Sequence, residues 1–180
     1  MKQIKVEIAG ESDLLMNSPK GMISKAEGEV TTKTSGKDIK TDAESVAYRM
    51  SNKELYVPAE AIKGTLINAS AYKKIGKFAL RPIIAGGVNI EPEQISLKTK
   101  TYDIDLRTVV IQRARVVKAR PRIKNWKISF ILNYDETLIP EPDQLKPILE
   151  EAGKRIGILD FRPAKNGSFG KFKVTKWDKC

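Results

Sequence analysis

Leu106-Arg-Thr-Val-Val-Ile-Gln-Arg-Ala-Arg-Val-Val-Lys-Ala-Arg-Pro-Arg-Ile-Lys-Asn-Trp-Lys-Ile128 is the stretch on which the fold turns. Between Asp105 and Asp135 the chain carries eight Lys or Arg side chains and no acid, and the charges are woven through β-branched residues. A charged disordered tail would lack those apolar partners. Alternation lets one side of a strand pair anchor in a sheet while the other reaches outward, so the stretch reads as strands facing a polyanion. Strands are expected near 95–102, 104–117 and 126–134. Arg113 and Arg115 then share one strand face, Lys118 follows, and Pro121 breaks the strand into a loop carrying Arg120 and Arg122. Such residues contact phosphates, which gives salt-dependent affinity with little sequence preference.

Outward from this stretch the pattern alternates between the two periods. Ile4, Val6 and Ile8 alternate with polar residues as a half-buried first strand. Pro58 opens a helix through about Ile75, with Ile62, Leu66, Ala69 and Tyr72 on one face and Gly76 closing it. Leu80 to Ile90, with Pro82, Gly86 and Gly87, reads as an apolar loop. Pro140, Pro142 and Asp143 lead into a second helix through about Arg155, with Leu145, Ile148, Leu149 and Ala152 inward. Phe169–Trp177 is the final strand. The core order of strand, helix, strand, strand, helix, strand predicts an α+β chain with a ferredoxin-like (split βαβ) antiparallel sheet and two helices on one face. The opposite sheet face is left free to bind, as in single-stranded RNA-binding modules. One domain is expected over 1–180. Residues 19–57 form its insertion, with a polar flexible segment from Pro19 to about Ser45 and a short hairpin over 46–57.

Composition narrows the function further. The 180 residues carry a net charge of +11, which favours RNA, DNA or an acidic membrane surface as partner. There is no histidine and only one cysteine, Cys180. Histidine general bases, imidazole zinc sites and cysteine metal clusters are thereby excluded, and no metal or cofactor is expected. No apolar stretch approaches the ~20 residues needed to span a bilayer, and the first residues lack a signal-peptide core. A cytoplasmic protein without membrane attachment is the expectation. No paired carboxylates stand at useful spacing and no nucleophile has a base, so an enzyme acting on small substrates is the least favoured class.

Two further segments carry chemistry. In 156–174, Gly157, Gly167 and Gly170 permit close backbone approach while Arg162, Lys165, Lys171 and Lys173 supply charge, together a candidate phosphate cradle. In 55–69 a strand runs through Pro58 into a helix, placing Lys63 and Gly64 in the first turns near an anion-attracting helix end. Gly64 also admits close packing of another backbone. Lys20, at the start of the polar insertion, completes the set of candidate cations.

Val57-Pro58-Ala59-Glu60-Ala61-Ile62-Lys63-Gly64 resembles the "Ile-Pro-Gly-Ser-Ser-Leu-Lys-Gly" text of the RAMP superfamily of CRISPR proteins. Gly167-Ser168-Phe169-Gly170-Lys171-Phe172 resembles that superfamily's late "Gly-Phe-Gly-Arg-Val" strand entry. Ala59-Glu60 replaces the small Gly-Ser pair. The resemblance implies a non-catalytic subunit that polymerises along single-stranded guide RNA beside other effector subunits, as a homo-oligomer or filament. In such subunits a protruding hairpin, the thumb, pinches between nucleotides; the insertion at 19–45 or the hairpin at 46–57 is its candidate here. Some relatives cut target RNA with an aspartate after the first strand, where Asp13, Asp38 and Asp42 lie in this chain. Guide-processing relatives often use histidine, which is absent. The residues alone also leave open a single-stranded DNA-binding or annealing protein of phage or plasmid origin, or a structural subunit of a nucleoprotein assembly.

Overall fold

The structure, a computed structural model, describes residues 1–20, 39–72, 79–111 and 113–180. In chain order its elements begin with β1 (Lys2–Gly10), β2 (Leu14–Leu15), α1 (Ile39–Ser45), β3 (Tyr56–Pro58), α2 (Ala59–Ala69), α3 (Leu80–Gly87) and β4 (Val88–Glu91). They continue with β5 (Gln94–Ser96), β6 (Asp103–Ile111), β7 (Ala114–Ile123), β8 (Lys127–Tyr134), α4 (Leu145–Glu151) and β9 (Phe172–Lys179).

Strand alternation builds the central layer. In β1 the buried Ile4, Val6 and Ile8 face one side, and Ile128, Phe130 and Leu132 of β8 continue that apolar face. The sheet runs β4-β8-β1-β9 with every neighbour antiparallel. Helix α2 lies between β1 and β4 in sequence, and α4 between β8 and β9. That connectivity and strand order are those of the ferredoxin-like fold.

The helices bury their stripes against the sheet's inner face: Ile62, Leu66 and Ala69 from α2, Leu80 and Ile84 from α3, and Leu145, Ile148 and Leu149 from α4. Each fully buried large aliphatic stabilises this layer by about 1.5–3 kcal/mol. Trp126 belongs to the same core, edge-on to Phe172 at 6.5 Å with its indole N–H donated to the Ser12 carbonyl at 2.8 Å. Among the described residues no helix is long and apolar enough to cross a membrane.

Several local expectations are corrected. Leu80–Gly87 is a helix rather than a loop: Pro82 sits in its first turn, where no backbone N–H is needed, and Leu80, Ile84 and Gly87 bury one stripe. The strand expected over 104–117 ends at Ile111, and the chain returns as β7 through a tight turn at Arg113. Pro121 does not break the strand. It stays within β7 opposite Ile104, and its carbonyl accepts the Met16 N–H at 2.9 Å. The strand expected over 95–102 stops at Ser96, where the serine hydroxyl accepts the N–H of the left-handed Lys98 and kinks the chain.

Within the expected insertion, residues 21–38, including Asp38, lie outside the described residues. Ile39–Ser45 is helical, and a single bridge joins Arg49 to Leu55. Ile75 and Gly76, the expected end of the first helix, likewise lie outside.

Candidate nucleic-acid interface

The basic run folds into the longest hairpin of the chain. It is inserted between β4 and β8, the second and third strands of the core sheet, and pairs nine positions from Asp103↔Arg122 to Ile111↔Ala114. Because facing residues share a side, one face of the hairpin carries Asp103, Asp105 and Arg107 opposite Arg122, Arg120 and Lys118. The other carries Leu106, Val110 and Val117, all exposed, with Val110 at 70%.

At its root the hairpin is closed by ion pairs. Arg120 is only 5% exposed; it donates to Asp160 at 2.6 Å and lies 3.7 Å from the buried Asp105, which also accepts from Arg107 at 2.9 Å. Arg122 donates to Asp13 at 2.6 Å, and Lys124 pairs with Asp103 at 2.8 Å. Arg120 and Arg122 therefore face carboxylates of the chain itself, which corrects their placement in an open loop. Arg113 and Arg115 sit at the other end, exposed, with Arg113 in the turn rather than on a strand face and Arg115 opposite Val110. Lys118 is half-buried on the shaft.

The segment 156–171 wraps beneath that root and is dense in left-handed backbone: Gly157, Leu159, Phe161, Asn166 and Gly170 all have positive φ. Gly170, at φ +68, has its N–H on the Asp13 carbonyl at 2.8 Å, and a Cβ there would strike the Ile158 carbonyl. At Gly167 a Cβ would strike the Phe161 carbonyl. Both glycines thus serve close backbone contacts within the loop. Leu159 and Phe161 adopt the same region at a steric cost of about 1–2 kcal/mol each. They are held there by Arg162, whose Nη1 donates to the Leu159 carbonyl at 2.7 Å, and by the Phe169 N–H on the Phe161 carbonyl at 3.1 Å. Non-glycine residues kept in strained backbone cluster at functional sites.

The rings of this loop join it to the hairpin. Phe161 and Phe169 stand 6.1 Å apart; the Arg107 guanidinium lies 5.4 and 4.8 Å from their centres, and that of Arg122 lies 5.9 Å from Phe169. Sequence reasoning passed over Arg107, Asp105, Asp160 and both phenylalanines. The two rings flanking Asn166-Gly167 were the available signal.

The candidate binding residues therefore divide into groups. Arg120, Arg122, Arg162, Gly167 and Gly170 converge where hairpin root and loop meet. Lys165 and Lys171 are exposed on the outer side of the loop, and Arg113 and Arg115 project at the far tip. Lys63 stands apart, in a cleft of about 250 Å³ on α2 beside Glu60, Glu91 and Glu93. Lys20 is exposed next to the undescribed segment. Gly64 does not receive another backbone, since a Cβ there would have no neighbour within 4 Å.

The outward face of the main sheet carries Lys5, Glu7, Lys127, Ser129 and Ile131, with Lys127 paired to Glu7 at 3.1 Å. These residues supply no ring for base stacking, unlike the platform of a single-strand reader. Of the candidate aspartates, Asp13 is occupied by Arg122 and Asp42 lies in α1. Among the described residues no three carboxylate or thiol side chains converge into a metal site.

The architecture defines a ferredoxin-like α+β chain with a long hairpin inserted before its third core strand. No protein-family model and no curated protein matches the chain. Among solved structures it is similar to a chain of the Type III-B Cmr-beta complex, determined by cryo-EM bound to cognate target RNA. The TM-score is 0.64 at 15% identity, so the likeness is one of fold. The match covers 99% of this chain and 60% of that one.

Proposed function

We propose that the chain is a non-catalytic RNA-binding subunit of a CRISPR-type ribonucleoprotein, and that copies assemble side by side along a single strand. The observation that carries this reading is the hairpin tip. There Arg113 and Arg115 stand exposed, and Arg113 occupies a left-handed turn position that glycine or asparagine would fill without strain. A cation kept where the backbone prefers another residue suits a functional contact better than a solubility surface. Lys165 and Lys171 on the loop supply further phosphate contacts, and Lys118 lies on the shaft between loop and tip. The hairpin takes the protruding role that the sequence resemblance assigned to 19–57. The fold shared with a chain of an RNA-bound effector supports RNA and companion subunits as partners.

The test is a filter-binding titration of single-stranded RNA over a salt series. The double variant Arg113→Ala, Arg115→Ala should bind every sequence more weakly, and the slope of log affinity against log salt should fall by about 0.7 for each phosphate the chain no longer neutralises. An unchanged slope overturns the assignment of the tip. Competition between RNA and DNA oligonucleotides of matched sequence separates this reading from a single-stranded DNA-binding protein, because only RNA offers a 2′-hydroxyl.

A further inference from the structure

A cavity of about 290 Å³ opens between α2 and the strained loop. Asn17, Asn68, Tyr48, Glu60 and Arg162 line it, with Gly64 on the helix side. We propose that this cavity receives one nucleobase of the bound strand and reads its hydrogen-bonding edge. The inference rests on the RNA-binding reading above, and adds base recognition to contacts that by themselves track only phosphate.

The chemistry of the wall selects the ligand. A phosphate is an anion that only accepts hydrogen bonds, and it would meet the Glu60 carboxylate on this wall, while Asp160 is already held by Arg120. A base edge alternates donors with acceptors, and the wall offers both. Asparagine amides pair in two-point fashion with adenine, carboxylates accept from exocyclic amines, and guanidinium donates to ring nitrogens and carbonyls. Tyr48 enters as a donor, because burial raises its pKa first, and the charges of Tyr56, Asp160 and Glu60 raise it further.

One feature shows a wall left open for an occupant. Gly64 contributes space instead of packing, since a Cβ there would have no neighbour within 4 Å. The left-handed Leu159 also lines the cavity, so backbone strain is held at its wall.

The experiment titrates the full chain with homopolymeric RNA strands of A, C and U and an alternating G/U strand, all of one length, at several salt concentrations. The wild-type chain should prefer one of the four by at least about fivefold. Asn68→Ala and Asn17→Ala should each reduce that preference while leaving the salt slope unchanged. Gly64→Ala, which adds a methyl group to empty space on a helix and preserves the fold, should also narrow it. Equal affinity of the wild-type chain for all four strands overturns the inference, as does a preference that survives Asn68→Ala. In both cases an intact salt slope leaves the phosphate-binding reading standing. Failure to bind any of the strands overturns both.

Discussion

The root and the tip of one hairpin are built from the same basic, β-branched text, yet they are physically opposite. At the root, Arg120 and Arg122 turn inward to Asp160, Asp105 and Asp13, and Arg107 lies over two phenylalanine rings. At the tip, Arg113 and Arg115 meet solvent. The first set holds the molecule together and the second is available to a polyanion. Cationic charge in a sequence measures affinity for phosphate only after the pairs closed inside the protein have been set aside.

The largest effect is expected at the root. Arg120→Ala takes the buried cation from Asp160 and from Asp105, which keeps Arg107, and the loss should cost about 2–3 kcal/mol of stability. Urea denaturation of variant and wild type reads this directly, and a loss under about 1 kcal/mol would erase the distinction between root and tip. Arg107→Ala removes a cation from above two rings, but its side chain is 41% exposed. A destabilisation of about 1 kcal/mol is expected in the same urea titration, with RNA affinity changed less than in the tip variants. Smallest of all, Arg115→Ala should alter stability by no more than about 0.5 kcal/mol while lowering RNA affinity. A destabilised Arg115 variant would show that the tip, too, is structural.

Much of the fold was legible because its signals are local. Ile4, Val6 and Ile8 alternate, Ile62, Leu66 and Ala69 recur at helical spacing, and together with the second helix and last strand they spell out the ferredoxin-like order. The turn at Arg113 was hidden because no glycine or asparagine marks it, so β6 and the start of β7 read as one strand. The α3 helix was hidden by Pro82, which looks like a breaker until its place in the first turn is seen. The site was less legible still. The partners that decide which arginines are available lie far along the chain, 109 residues apart for Arg122 and Asp13 and 40 for Arg120 and Asp160. No periodicity reports such pairs. The cavity beside Gly64 is likewise made only when the loop at 159–162 folds against α2.

The shortest strand has a wide reach. Leu14 and Leu15 pair with Ile123 and Arg122 on one side, while the Leu15 carbonyl takes the Asp160 N–H and the Asp13 carbonyl takes that of Gly170 on the other. This crossbar ties hairpin and loop to a single piece of backbone a few residues beyond the first core strand. The count of residues from Gly10 to Leu14 is therefore a ruler. One residue more would have to be looped out for Asp13 to keep its hold on Arg122, so the length of this link helps to set how the projecting arm is held.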